Sequence, residues 1–142
     1  MNMIQQSDGH NYLIRFTKDE LLIEGLQAFM QEKQLPGAWI SGLGGAQWVE
    51  LGFYDLPNQR YQWRRFDELL EVTAITGNIA WQNQQPVLHL HGTFSGQDYQ
   101  AIGGHIKELC VGGTLELLIQ PFGNQPIQRQ QDNTTGLKLL AL

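Results

Sequence analysis

The sequence is poor in cysteine, in charged residues and in long hydrophobic runs. Its single cysteine, Cys110, excludes a disulfide within the chain. Charged residues make up 16% of the 142 residues, against about 25% in an average protein, so neutral polar side chains must cover much of the surface. No apolar run approaches the length of a transmembrane helix, and the first residues lack the pattern of a signal peptide. We therefore expect a cytoplasmic protein with no membrane partner.

The balance of charge is acidic, with a formal net charge of -5 and a pI of about 5.2. A domain that binds nucleic acid by itself usually presents a basic face, because neutralising phosphates supplies most of the affinity. The acidity therefore lowers the expectation of autonomous DNA binding, although it leaves room for a local basic patch.

One segment has the pattern of a helix. Thr17-Lys18-Asp19-Glu20 has the spacing of a capping box, in which the Thr17 hydroxyl accepts from a backbone amide and Glu20 reaches back to the cap amide. Apolar residues at helical spacing follow, and Pro36-Gly37 would end the element. We predict a helix over residues 18–34.

Most of the remaining chain has the alternating or β-branched pattern of strands. Strands are predicted over residues 12–16, 38–43, 48–54, 59–66, 69–81, 87–94 and 114–120, with one more candidate in the tail from Ile127. Residues 98–111 are predicted as a loop or a short helix. The connections are mostly too short for parallel crossovers. We predict an α+β fold, with a mainly antiparallel β-sheet and flanking helices, in a single domain over residues 1–142.

Three of the four histidines lie between positions 89 and 105. His89 and His91 alternate in a predicted strand, so their side chains share one face, roughly 6–7 Å apart at the backbone. Two such imidazoles can converge on one ion, and His105 would complete three ligands with an open fourth position, as in catalytic zinc sites. The same pair can also be a packed or hydrogen-bonded feature without metal. His10 is expected to be a surface residue.

Several segments around these histidines resemble the signature of the PPC domain, the "plants and prokaryotes conserved" domain. The most specific pieces are His89-Leu90-His91 and, further along, Gly103-Gly104-His105. The other matching pieces, in chain order, are Ser41–Gly45, Leu51–Asp55, Glu71–Ile79, Thr114–Glu116, and Asp132 with Thr135–Leu137. The resemblance extends from about Tyr12 to Leu140.

The resemblance implies a mainly antiparallel sheet with flanking helices and assembly as a homotrimer. It also implies, as in some bacterial members, a metal ion held by His89, His91 and His105. In plants the domain accompanies AT-hook DNA-binding segments, and single-domain bacterial members are commonly labelled DNA-binding by that association. This sequence contains no Arg-Gly-Arg-Pro-like segment of the AT-hook type, so DNA as a partner is expected from the family label only.

Two functions from different classes follow from these observations. One is a homotrimeric module in assembly or regulation, holding a divalent metal for which zinc is favoured and copper, iron and nickel also suit imidazole. The other is a small metal-dependent enzyme, in which the ion polarises a substrate or water and Glu71 or Glu116 assists with protons. The enzyme predicts a pocket and a carboxylate beside the ion. The module predicts a closed or shallow site.

Other features have a structural explanation that is favoured over a functional one. Arg60–Phe66 interleaves basic and aromatic residues as single-stranded nucleic-acid sites do, but a hairpin strand with one packed face explains it more simply. Gly42–Gly45 lacks a complete phosphate-binding fingerprint and predicts a tight turn. Glu71 is expected to bond backbone amides or pair across an interface. Cys110 is expected to be a small buried hydrophobe rather than a ligand or nucleophile.

Overall fold

The computed structural model describes residues 4–142, which form one helix and one nine-stranded sheet. The elements, in chain order, are β1 (Ile4–Ser7), β2 (Tyr12–Thr17), α1 (Leu22–Lys33), β3 (Ala38–Asp55), β4 (Arg60–Phe66), β5 (Leu70–Gln82), β6 (Gln85–Ser95), β7 (Ala101–Pro121), β8 (Gln128–Gln131) and β9 (Lys138–Ala141). Neighbouring strands are antiparallel except for a single parallel bridge between Trp81 of β5 and Gln128 of β8. The predicted, mainly antiparallel sheet is confirmed.

The long strands β3 and β7 organise the sheet. The two strands pair along most of their length, and β3 also pairs with β5. Because β6 pairs with both β5 and β7, the pairings among these four strands form a closed circuit. This circuit fixes the position of β6, the strand that carries His89 and His91.

The predicted tight turn at Gly42–Gly45 is wrong, because these residues lie inside β3. The register of β3 shifts between Gly42 and Gly44 and again between Gly44 and Ala46, so the strand bends through β-bulges. A Cβ at Gly42 would collide with the carbonyl oxygen of Glu116. The glycines therefore permit a close strand contact inside one bent strand.

The predicted loop or short helix over residues 98–111 is also wrong, because β7 begins at Ala101 and is continuous to Pro121. Gly103 and Gly104 are extended. A Cβ at Gly103 would lie 2.9 Å from the carbonyl oxygen of Gly92, and one at Gly104 equally close to that of Gly52. The two glycines allow β6 and β3 to approach β7 closely on either side.

A β-bulge interrupts the pairing of β3 with β7 near the start of β7. Glu50 pairs with Glu108 and Leu51 pairs with Ile106, so Lys107 has no direct partner on β3. One extra residue in β7 therefore separates the position of His105 from the remainder of the strand.

The helix begins later than the sequence predicts. Its N-cap residue is Leu21, which makes no side-chain capping bond. Glu20 does reach back to accept a hydrogen bond from the Thr17 amide at 2.8 Å, but the Thr17 hydroxyl also donates to it instead of accepting from an amide. Asp19 has a φ of 72°, in the left-handed region. The predicted capping box is therefore a turn that precedes α1.

The N-terminus of α1 is capped by Glu108, a residue of β7 that sequence reasoning missed. Its carboxylate accepts hydrogen bonds from the backbone amides of Ile23, at 2.8 Å, and Glu24, at 3.4 Å. Burial raises the pKa of Glu108, while these amide bonds oppose the rise. A carboxylate also suits the partial positive charge at a helix N-terminus, so this contact ties the helix to β7.

The core lies between α1 and one face of the sheet. The helix contributes Leu22, Leu26, Phe29 and Met30, and β2 contributes Ile14 and Phe16. In the part of the chain that the structure describes there is one helix, so "flanking helices" overstated the helical content. Cys110 is buried and free, as expected. Among these residues no helix combines the length and apolarity needed to cross a bilayer.

Replacing Glu108 should weaken the anchoring of α1. We expect Glu108→Ala to lower the free energy of unfolding by about 1–2 kcal/mol, as the loss of a helix cap does. Urea denaturation at pH 7 measures this change. Glu116→Ala, an exposed glutamate on the same strand, is the matched control and should have little effect. Equal stability of the two variants would contradict the capping role.

Candidate metal centre

Strand register brings the three histidines together. His89 and His91 lie on β6, and His91 is the direct cross-strand partner of His105 on β7. On the other side of β6, His89 pairs with Asn78 of β5. The shared face of His89 and His91 follows from their spacing, whereas the place of His105 depends on the pairing of two strands that are distant in sequence.

The three imidazoles converge on a space suited to one ion. One ring nitrogen of each histidine lies within 4.8 Å of the others, and the Nε2 atoms of His89 and His91 are 3.2 Å apart. The ring centroids are separated by 5.1 to 5.6 Å. His89 and His91 are exposed, while His105 is half-buried. This nitrogen set matches the three protein ligands of an open zinc site.

Aromatic side chains of β4 hold His105 from one side. The Tyr61 ring lies 4.9 Å from the His105 ring, and Trp63 stacks on Tyr61 at 4.5 Å. Gly52, the β3 partner of His105, leaves room for both rings, because a Cβ there would lie 2.5 Å from Trp63. The aromatic residues of the Arg60–Phe66 segment thus pack beside His105, which favours the hairpin-strand interpretation over a nucleic-acid strip.

The electrostatic setting favours the neutral form of His89 and His105. Burial lowers the pKa of His105 to about 4, and the nearby His89, His91 and Arg129 act in the same direction. Burial also lowers the pKa of His89, again with help from His91 and Arg129. A neutral imidazole is the form that binds metal. Protons therefore compete little with a cation for these two side chains at neutral pH.

One buried ring nitrogen in this cluster has no hydrogen-bond partner among the residues that the structure describes. His105 Nδ1 is buried and unsatisfied among residues 4–142. Leaving a buried polar atom unsatisfied costs about 1–3 kcal/mol, so each such atom in a native protein calls for an explanation. Coordination of a cation by the three histidines is an explanation that fits. The unsatisfied nitrogen and the spacing of the rings therefore both suit a metal ion.

Arg129 of β8 lies in the wall of the site, and sequence reasoning missed it. It is only 6% exposed and donates from Nη1 to the Lys138 carbonyl at 2.7 Å. Its Nη2 donates to the side-chain oxygen of Asn78, the residue opposite His89. Burial lowers the pKa of Arg129. An arginine in a polar tail segment carries no sequence signal for burial, so only the structure places it beside the histidines.

A cavity of about 360 Å³ opens beside the histidine cluster. His89, His105 and Arg129 line it together with apolar and polar residues, namely Tyr54, Tyr61, Val87, Leu88, Leu137 and Leu139, with Gln59, Arg60, Gln131, Gly136 and Lys138. The enzyme hypothesis predicted such a pocket, and the module hypothesis predicted a closed or shallow site. The cavity therefore favours a site that accepts a small molecule.

The carboxylates proposed for proton transfer lie elsewhere. Glu71 pairs with Gly45 and Ser95, and Glu116 pairs with Arg15 and Leu43 at the far end of β7 from His105. Neither residue lines the cavity. The expectation that Glu71 or Glu116 assists at the ion is therefore wrong, because strand register separates both from the histidines. His10 is exposed, as predicted.

Comparison with known proteins yields one family match and close structural relatives. The family model of the Plants and Prokaryotes Conserved (PCC) domain matches residues 3–123. A "putative DNA binding protein" from Bacteroides thetaiotaomicron has a TM-score of 0.93 at 27% identity, covering 98% of this chain and 96% of that one. A metal-containing protein from Archaeoglobus fulgidus has a TM-score of 0.87 at 26% identity, covering 98% and 99%. A PPC protein from Pyrococcus horikoshii, at 21% identity and a TM-score of 0.85 over 99% and 94%, shows the shared fold. No curated protein matches the chain.

The lowered pKa of His105 gives the metal-free protein a defined dependence on acid. An unfolded histidine takes up its proton near pH 6.5, whereas folded His105 does so only near pH 4. The unfolded state therefore binds more protons in this interval, and the free energy of unfolding should fall as the pH falls from about 7 to 4. Urea denaturation at a series of pH values, with a chelator present to keep the protein free of metal, measures this fall.

His105→Gln should make this fall with pH shallower, and the matched change His10→Gln at an exposed histidine should leave it unaltered. A His105→Gln protein with the same pH dependence as the wild type would show that His105 is not the residue responsible.

Proposed function

The chain belongs to the Plants and Prokaryotes Conserved (PCC) domain family, and from this premise we propose that it is a homotrimeric binding module built around a divalent metal ion. His89, His91 and His105 would hold the ion. The natural role of such a module is assembly or regulation, through DNA or another protein. The convergence of three imidazole nitrogens on one space is the observation that carries this proposal.

Zinc is the ion that the donor set fits best, since three imidazole nitrogens with an open fourth position are typical of it. The similar structure described as a metal-containing protein supports a metal in this fold. When bound, such an ion can polarise an oxygen atom of a ligand or of water. The chain itself contributes the neutral rings, the packing of Tyr61 against His105, and the opening toward the cavity.

An exposed apolar surface supports self-association. Leu13 of β2 pairs with Leu118 of β7, and Trp39 and Leu43 lie on the same face of the neighbouring β3. All four are exposed, Leu13 and Leu43 to 57% and 56%, on the face opposite the buried Ile14 and Leu117. Contiguous apolar surface of this kind marks protein contacts, and we assign it to further copies of this chain.

A metal-dependent reaction is the second candidate, and the cavity is what favours it. The space of about 360 Å³ next to His89 and His105 is large enough for a small ligand. No aspartate or glutamate lines it among the described residues, so a single chain offers no carboxylate there as an acid or base. Binding of a small molecule is thus better supported than proton transfer.

Metal content tests the centre directly. Protein purified without a histidine tag and incubated with zinc should retain about one ion per chain by plasma mass spectrometry. The double variant His89→Ala/His91→Ala should lose it, because only one imidazole remains, and His10→Ala should keep it. Wild-type protein free of metal after incubation would reduce the histidines to packing or hydrogen-bonding groups.

The oligomeric state tests the apolar surface. Sedimentation analysis should give a mass of three chains for the wild type, and Leu13→Glu/Leu118→Glu should give a single chain, because a charge in a buried contact is costly. Leu56→Glu, at an exposed leucine in the turn after β3, should remain trimeric. A wild-type monomer would refute the trimer.

DNA as a partner rests on the description of a similar structure and has its own test. A duplex shift assay should show binding whose affinity falls steeply with salt, since phosphate contacts release counterions. The absence of any shift at low salt would exclude DNA as a partner and leave a protein or a small molecule.

A further inference from the structure

Arg129 is a buried cation that pairs with no anion in the described part of the chain. No carboxylate of residues 4–142 lies within ion-pair distance of it, and its buried Nε has no hydrogen-bond partner there. Burial of an unpaired charge is costly. Arg129 is nevertheless only 6% exposed and lies in the cavity wall beside His89 and His105. A negatively charged ligand in the cavity would neutralise its charge.

The guanidinium is also held in a fixed position. The Lys138 carbonyl and the Asn78 side chain accept two of its hydrogen bonds, out of the five N–H groups that an arginine offers. Asn78 is itself fixed by the pairing of β5 with β6 opposite His89. A donor group that is already ordered binds its partner with a smaller loss of entropy, so Arg129 is preorganised for an anion.

The charge and polarity of the cavity define the ligand further. Its charged lining side chains, Arg60, Arg129 and Lys138, are all cationic, although the chain carries a net charge of -5. Leucine and valine side chains, at Val87, Leu88, Leu137 and Leu139, supply apolar surface. The volume of about 360 Å³ is at the small end for ligand sites.

We propose that this cavity binds a small organic acid, with its carboxylate at Arg129 and its apolar body against the leucine and valine side chains. The planar guanidinium fork matches a carboxylate. This inference rests on the proposed metal centre, because the end of the ligand away from Arg129 would face His89 and His105. Arg129 lies on β8 and Lys138 on β9, so the two C-terminal strands supply these two cations of the proposed site.

A matched pair of ligands provides the first test. Calorimetric titration of the zinc-loaded protein should show 3-methylbutanoate binding at least about tenfold more tightly than the neutral 3-methylbutanamide, a difference of about 1.4 kcal/mol. Equal affinities, or no binding of either probe, would overturn the proposal. Inorganic phosphate is the third probe, and tighter binding of phosphate than of the acid would refute the assignment to a carboxylate.

Substitution of the cation provides the second test. Arg129→Met removes the charge and should abolish the preference for the acid, while Arg15→Met, at an exposed arginine of β2, should preserve it. Asn78→Asp keeps Arg129 and places a carboxylate beside it, so it should weaken acid binding by about tenfold even if Arg129→Met does not fold. Unchanged preference in both cavity variants would overturn the role of Arg129.

Zinc content, measured on the same samples, separates this inference from the metal proposal. Zinc bound with no preference for the acid refutes the organic-acid site and leaves the metal centre intact. A preference for the acid in protein that binds no zinc refutes the metal centre and supports the anion site at Arg129.

Discussion

The pairing of β6 with β7 is the constraint on which the candidate site depends. It sets His105 directly opposite His91, and the closed circuit of β3, β5, β6 and β7 prevents either strand from sliding. A shift of one residue would turn every side chain of a strand to the other face of the sheet. The hydrophobic residues of both strands therefore hold the register that brings the three histidines together.

The local pattern of the sequence predicted the parts of this structure that depend on neighbours in sequence. Alternation identified most strands and placed His89 and His91 on one face. The sequence offered His105 as a third ligand, and the family resemblance supported that choice. Sequence reasoning was wrong over residues 98–111 because Ile106, Leu109 and Cys110 are apolar at a spacing that a helix also shows, while the bulge at Lys107 produces the same spacing in a strand. Glu108 contacts the distant helix α1 and Arg129 contacts Asn78 of the distant strand β5, and a single sequence has no local signal for either contact.

The balance between the two proposed functions rests on what surrounds the histidines. A closed site would make the ion purely structural, but the cavity exposes His89 and His105 to a ligand, and its charge is of one sign. Module and ligand site are compatible, because the apolar surface around Leu13 and Leu118 lies on different strands from Arg129. A small anion bound at Arg129 therefore leaves free the apolar surface that we assign to self-association.

The bulge at Lys107 has a consequence for how this strand tolerates change. Ile106 and Leu109 both face the core, against Leu51 and Val49, although they stand three apart. This arrangement is possible because the β-bulge at Lys107 places one extra residue between them. The number of residues in this stretch, more than the identity of the one at 107, decides which way His105 points. Replacing Lys107 with another residue keeps the number of residues and therefore the geometry of the strand. Deleting position 107 instead forces either the core residues or His105 to the opposite face of the sheet.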